Sequence, residues 1–419
     1  MRDGADYAAH LVDDVLAWWM SHGPDAEHGG VLTCWSNDGA RLVSHDKYTW
    51  SQGRWAWLTA RVAQAARAGV LAVDPEPYAE QAERTARFVR DRALCADRTT
   101  AYVTTRAGEP FEPVPGRGLA TSVFADLFAA LGFAGVEHVR PGEGWGELSL
   151  EVLRAAAERI ASGEFRSDPY PVPPGYGSFG LPMILVGVGE QVYRATADTE
   201  AAAIVRAAAA DIGARFVRGD DVVEMPGPGG VDDPSLLARH RTPGHVLEAL
   251  WFLRHARDLL GEARLADDAE LAAIARRALA LGWDEERGGL FRYVDAAGGA
   301  PAGERDGEAY TELVVATWDT KLWWPHAEAL YTTRLLASAT GDPALAAWAE
   351  RVESYTFATF PDGSGREWTQ IRDRSGAPDA RTVALPVKDP FHIARALLML
   401  VELDPPAGLP VTAPASEHA

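Results

Sequence analysis

Thr242-Pro243-Gly244-His245-Val246-Leu247-Glu248 opens a stretch in which apolar residues recur at three- and four-residue spacing as far as Leu260, the periodicity of a helix met at its first turn. Two further segments share this layout. Lys321-Leu322-Trp323-Trp324-Pro325-His326-Ala327-Glu328 leads into a periodic run to Ser338, and Lys388-Asp389-Pro390-Phe391-His392 leads into one ending at Leu403. Proline suits a first helical turn, because the N–H it lacks would have had no intrahelical partner there. Each segment thus reads as a helix start with chemistry-bearing residues close behind. The positive end of a helix favours neutral imidazole and nearby negative charge, so His245 and His392 stand where an anion can be made and held.

Working outward, the same periodicity covers 8–20, 49–66, 79–94, 121–133, 148–160, 184–195, 201–216, 269–281 and 343–355. Several of these segments are apolar on more than one face, which predicts burial between neighbours. Short hairpin-like segments lie between them at 29–39, 101–108, 288–295 and 366–376, each with alternating residues ahead of a Gly, Asn or Asp turn. Gly29-Gly30 is echoed by Gly288-Gly289, each after an acidic loop. The echo suggests repeated helix pairs, and ordinary turn chemistry explains it equally well. Loops 163–177 and 219–235 are rich in Gly, Pro and Asp, yet helical patterns resume on both sides. Residues 1–404 therefore read as a single catalytic domain, and 405–419 as a flexible tail. The fold class is all-α. Twelve helices pack most economically as a double ring of alternating inner and outer members, with the inner N-termini gathered at one end.

A formal net charge of −20 argues against nucleic acid and anionic membrane surfaces as partners. Hydrophobic residues at 47% supply an ample core, and the 14 tryptophans offer flat apolar walls of the kind that face sugar rings. Only Cys34 and Cys95 are present, the segment from Met1 to Asp6 lacks the character of a signal peptide, and no run approaches the ~20 apolar residues of a membrane span. These features predict a soluble cytoplasmic protein. There is no Gly-rich phosphate loop, no nucleophile elbow and no dinucleotide fingerprint, and His240 and His245 are too far apart in sequence for a zinc helix. What remains is acid–base chemistry with neither metal nor cofactor.

His245 and Glu248 are three apart, so they share a helix face where a carboxylate can tune an imidazole or hold a hydroxyl. The same residues also fit a capping arrangement behind Thr242. His392 follows Asp389, a candidate N-cap, and by itself reads as readily as a structural histidine. Arg54, in Trp50-Ser51-Gln52-Gly53-Arg54, either holds a sugar hydroxyl or developing oxyanion or serves as half of a salt bridge.

Taken together and in this order, Trp50 to Arg54, Pro182 to Leu185, Pro243-Gly244-His245 with Glu248, Lys321 to Glu328, and Phe391-His392 with Arg395 resemble the N-acylglucosamine 2-epimerase family. That group is related to the cellobiose 2-epimerases and mannose isomerases. The resemblance implies an (α/α)6 barrel with short hairpins in its connecting loops. It also implies His245 and His392 as the acid–base pair, with Arg54, Glu248, Trp324, Glu328, Trp368, Trp50 and Lys388 around the sugar. One histidine would take the C2 proton of the opened sugar and the other would return a proton to the opposite face of the enediolate, most simply between N-acetylglucosamine and N-acetylmannosamine. Delivery to C1 instead would make an aldose–ketose isomerase acting on mannose or a related hexose. Val387 stands where cellobiose 2-epimerases carry a tryptophan, and Ile184 where the cellobiose and mannose branches carry a histidine, so both point to an N-acylated or plain monosaccharide. A homodimer is the assembly the resemblance suggests. Glycoside hydrolases built on paired carboxylates, and a sugar-binding protein without turnover, are the competing classes.

Overall fold

The computed structural model describes residues 1–405, apart from 364, 384 and the side chain at 231. The tail expected at 405–419 lies outside the described residues except for Pro405. Six helices form a closed inner ring: Thr49–Arg67 (α1), Val123–Glu137 (α2), Gly180–Thr196 (α3), Pro243–Leu260 (α4), Trp323–Thr340 (α5) and Phe391–Leu403 (α6). Each packs on the next, and α6 closes on α1. The outer ring begins with the run Gly4–Ala9, His10–Leu16 and Ala17–His22. It continues with Pro75–Phe88 extended by Val89–Ala93, Trp145–Ser162, Thr199–Asp211 extended by Ile212–Phe216, Asp268–Gly282 and Pro343–Thr359. Inner and outer helices alternate along the chain, the (α/α)6 arrangement.

Residue pattern assigns each helix to its ring. In α2 all residues from Val123 to Val136 are buried, as a helix enclosed on every side requires. Thr199–Asp211 buries only Ala201, Ala202, Val205 and Ala208, a single stripe facing inward. Close approach of α1 and α2 depends on glycine. A Cβ at Gly53 would lie 2.0 Å from the Phe128 carbonyl oxygen, and one at Gly132 would lie 2.9 Å from that of Gly53.

The two rings differ at their helix starts. Asp3, Asp74, Asp198, Asp267 and Asp342 cap outer helices through their side chains, satisfying backbone donors that would otherwise be orphaned. None of the six inner helices has a side-chain cap at its assigned N-cap residue. Their first turns line the cavity described below, and at α6 the Asp389 side chain accepts from the first N–H.

The hairpin-like segments pair differently from expectation. Val103–Thr104 pairs with Lys47–Tyr48, Val294–Asp295 with His240–Arg241, and Ile371–Arg372 with Lys321–Leu322. Three of the segments thus form ladder pairs with the residues that lead into an inner helix, while 29–39 forms isolated bridges and accepts from the Lys388 N–H, ahead of α6, at the Thr33 carbonyl. Each pairing satisfies backbone groups at the mouth of the barrel. The Gly-Gly echo is a repeated strut. Lys47 Nζ reaches Asp25 Oδ2 at 3.0 Å and the Gly29 carbonyl at 2.7 Å, and Arg106 joins Asp25 at 2.9 Å. Lys321 Nζ likewise reaches Asp284 Oδ2 at 3.2 Å and the Gly289 carbonyl at 3.1 Å, with Arg374 on Asp284 at 2.8 Å. The sequence pattern did not mark the α-helical segments Leu236–Arg239 and Ala309–Thr317 or the hairpin of Val217–Arg218 with Asp221–Val222. Leu236, Leu237, Tyr310 and Val314 from these segments join Met225 and Tyr293 in a small apolar cluster of their own.

Candidate active site

One cavity is lined from every inner helix: Arg54 of α1, Phe124 of α2, Ile184 of α3, His245 and Glu248 of α4, Trp324 of α5 and His392 of α6. All these residues lie in the first turns of their helices, so the barrel brings together the three segments that share a proline-led start.

The Trp50 to Arg54 motif divides by function. Trp50, Ser51 and Arg54 line the cavity, Gly53 permits the helix crossing, and Gln52 exchanges two 2.8 Å hydrogen bonds with the backbone of Val31. Arg54 donates to Asp389 Oδ2 at 2.5 Å and lies between the rings of Phe128 and Phe391, 4.1 and 4.7 Å from their centroids. Asp389 also accepts from the Phe391 N–H at 2.8 Å, fixing the start of α6.

The two histidines are held alike and biased oppositely. His245 Nδ1 is 2.9 Å from Glu224 Oε1, and His392 Nδ1 is 2.6 Å from Glu328 Oε1. These contacts leave Nε2 of each ring without a protein partner among the described residues. The Trp324 ring lies 5.1 Å from that of His245 and 5.8 Å from that of His392. It rests on the bare backbone of Gly244, where a Cβ would come within 2.4 Å of the indole. Burial opposes charge on His245, but the Glu224 carboxylate outweighs it and lifts the imidazole above its ordinary pKa of 6.5. Burial would likewise raise Glu224, and the facing His245 instead holds it below the usual carboxylate value. For His392 burial, reinforced by Arg54, prevails over the attraction of Glu248 and brings the pKa down to about 3. Two titratable groups pushed apart in this way are suited to serve as an acid and a base.

Behind His392, Arg395 Nη2 bonds Glu248 Oε1 at 2.5 Å and Glu328 Oε1 at 2.7 Å. Glu248, Glu328 and His392 bring their ligand atoms close enough together to hold a cation. The guanidinium of Arg395 already bridges the two carboxylates. Trp251 Nε1 adds a 2.8 Å bond to Glu328.

Of the expected site residues, His245, His392, Arg54, Glu248, Trp324 and Trp50 line the cavity. Glu328 lies behind the wall, in contact with His392. Two placements are corrected. Trp368 is fully buried outside the cavity, where it donates to His10 Nε2 at 2.7 Å and stacks on Phe360. Lys388 is also buried, paired with Glu367 Oε2 at 2.7 Å and donating to the carbonyls of Asn37 and Trp368. It therefore forms a third strut at an inner-helix start, like Lys47 and Lys321, and its neighbours Val387 and Asp389 face the cavity instead. His326 is structural as well. Its Nδ1 bonds the Leu322 carbonyl at 2.6 Å, and its Nε2 accepts from the Leu290 N–H at 2.9 Å. The capping reading of Thr242 does not hold, since its hydroxyl caps no backbone group. The sequence reading missed Glu224, which arrives from the Gly/Pro-rich loop 219–235 with no periodic signal to mark it.

A family model described as N-acylglucosamine 2-epimerase (GlcNAc 2-epimerase) matches residues 185–396. The N-acylglucosamine 2-epimerase of Bos taurus is 31% identical over 422 residues, covering 96% of this chain and 92% of the bovine protein. That of Homo sapiens is 31% identical over 408 residues, covering 94% and 88%. A solved sugar epimerase from a ruminal bacterium shares the fold, with a TM-score of 0.76 at 15% identity over 96% of this chain and 98% of its own. The barrel, its shared cavity and these likenesses agree: the chain belongs to the N-acylglucosamine 2-epimerase family.

Proposed function

We propose that this protein is a sugar 2-epimerase that inverts C2 of an N-acylated hexosamine, interconverting N-acetylglucosamine and N-acetylmannosamine. The observation that carries the reading is the pair of oppositely biased histidines facing one cavity, each oriented by its own carboxylate. In the resting pair His245 holds a proton and His392 does not. With the sugar in its open aldehyde form, His392 Nε2 takes the C2 proton, and the electron pair of the broken C–H bond moves into a C1–C2 enolate whose negative charge rests on O1. The start-of-helix dipoles of the inner ring and the Arg54 guanidinium favour that charge. His245 then gives its proton to C2 from the opposite face, inverting the centre, and exchange with solvent resets the pair. Trp324 supplies a flat wall beside both rings.

Turnover in heavy water should place one deuterium at C2 of the recovered epimer. Replacing either histidine with Asn should slow this exchange by about 10²–10⁴-fold, the usual contribution of a positioned general acid or base. Exchange that survives both substitutions would reject the two-histidine reading. With mannose or a related hexose as substrate, a 2-ketose as the sole product would assign the protein to aldose–ketose isomerisation instead.

A further inference from the structure

One buried guanidinium in the cavity wall has no role in the scheme above. Arg292 is 2% exposed and lines the cavity beside His245. Arg54 and Arg395 are each held by carboxylates, whereas Arg292 forms no ion pair among the described residues. Its hydrogen bonds are Nη1 to Thr317 Oγ1 at 3.0 Å and Nη2 to the Tyr170 hydroxyl at 3.3 Å, and its Nε has no partner. It also lies over the Tyr293 ring, 4.8 Å from the centroid. A guanidinium carries five N–H donors, so most of this one's capacity is unused. Burying such a group is costly unless an acceptor meets it.

The surroundings describe the acceptor. Tyr170, Val172, Met225, Tyr293 and Tyr310 share this part of the wall, contributed by loops 163–177 and 219–235 and by the segment from Tyr293 to the helix Ala309–Thr317. The compartment is apolar and aromatic, with one cationic donor. A neutral group pairing a carbonyl oxygen with an alkyl end fits it. An anion fits less well, because Arg292 is the one cationic donor in this apolar compartment and the carboxylates of Glu224, Glu248 and Asp389 line the same cavity.

We propose that this compartment is the subsite for the acyl group on C2, with Arg292 donating to the acyl carbonyl and Val172 and Met225 enclosing its alkyl end. The proposal rests on the epimerase reading, which brings C2 to His245 and hence its substituent to the neighbouring wall. A donor built for a substrate oxygen discriminates strongly against the analogue that lacks it, because the donor is then left unpaired.

The test is calorimetric binding of N-acetylmannosamine and of mannose to the wild type and to Arg292→Met, together with kcat and KM for C2 exchange. The wild type should prefer the N-acyl sugar. The variant should lose about 10- to 100-fold of that preference, as expected for a hydrogen bond to a charged group, with the loss in KM rather than kcat. Tyr170→Phe, which removes one hydroxyl bracing Arg292, should shift the preference the same way by a smaller factor, and it serves where Arg292→Met fails to fold. An equal loss for both sugars would mark Arg292 as structural and overturn the proposal. So would an unchanged preference, or tighter binding of a 6-phosphate or uronic acid than of the N-acyl sugar. Binding requires no turnover, so an acyl preference without C2 exchange would reject the epimerase reading and keep the subsite. Exchange without an acyl preference would reject the subsite alone.

Discussion

Replacing Glu224 with Gln should move the pH dependence of the reaction without dismantling the site. Glu224 is buried, His245 is half-buried, and the two lie 2.9 Å apart. The Glu224 carboxylate favours the charged imidazole. Burial of the imidazole works against this, and an opposite charge at such range typically shifts a pKa by about 1–3 units. In the proposed scheme the active form carries one proton on the histidine pair, and the alkaline limb of kcat/KM marks its loss. Glutamine keeps a polar partner at Nδ1 but no charge, so the limb should move to lower pH. At a pH above both limbs the variant should be slower by about tenfold per unit of displacement. Toward acid pH the two profiles should converge. The assay is C2 deuterium incorporation followed by NMR across pH, with Glu224→Asp as the charge-retaining control. A uniform loss at every pH, or a limb that stays in place, would refute the assignment of Glu224 as the group that holds the proton on His245.

Acid should unfold the protein through its buried histidines. Folded pKa values are brought down to about 3 at His326 and His392 and about 4 at His240 and His255, in each case chiefly by burial. Each lies below the unfolded value, so the unfolded chain binds more protons, and stability present above pH 6.5 is lost as pH falls toward those values. Each fully titrating histidine contributes about 1.4 kcal/mol per pH unit, and urea midpoints measured from pH 7 to pH 4.5 should fall steadily, whereas a flat profile would contradict the burial assigned here. Gly53→Ala should cost at least about 3 kcal/mol in urea unfolding, because its Cβ would meet a backbone carbonyl that cannot yield cheaply; a cost under about 1 kcal/mol would mean that α1 and α2 separate easily. Trp368→Phe should lower stability by about 1–2 kcal/mol through the lost bond to His10 while leaving KM for the sugar within about twofold, and a large rise in KM would return Trp368 to the cavity wall.

Much of the architecture is written locally. Three-and-four spacing marked all twelve barrel helices, because burial on one or more faces of a helix imposes that spacing on neighbouring residues. Proline at 243, 325 and 390 marked three inner-helix starts for an equally local reason, and the histidines behind 243 and 390 do face the cavity. The segments Leu236–Arg239 and Ala309–Thr317 escaped notice because they are short and bury their apolar residues against other loops rather than in the barrel.

Roles set by partners distant in sequence were not legible. His245, His326 and His392 look alike at their helix starts, yet one is biased toward its charged form by Glu224, one is tied to the Leu322 and Leu290 backbone, and one is biased toward its neutral form by burial beside Arg54 and Arg395. Lys388 and Trp368 adjoin cavity residues in sequence but turn away from the cavity, because their polar atoms find their partners behind the wall. The sequence by itself determined the helices, their order and which residues stand at their first turns, since hydrophobic periodicity and proline geometry act over a few residues. Only the tertiary structure decided which of those residues meet across the barrel and which way the proton affinity of each histidine is pushed, since charge–charge interaction and desolvation depend on distances that closing the ring sets.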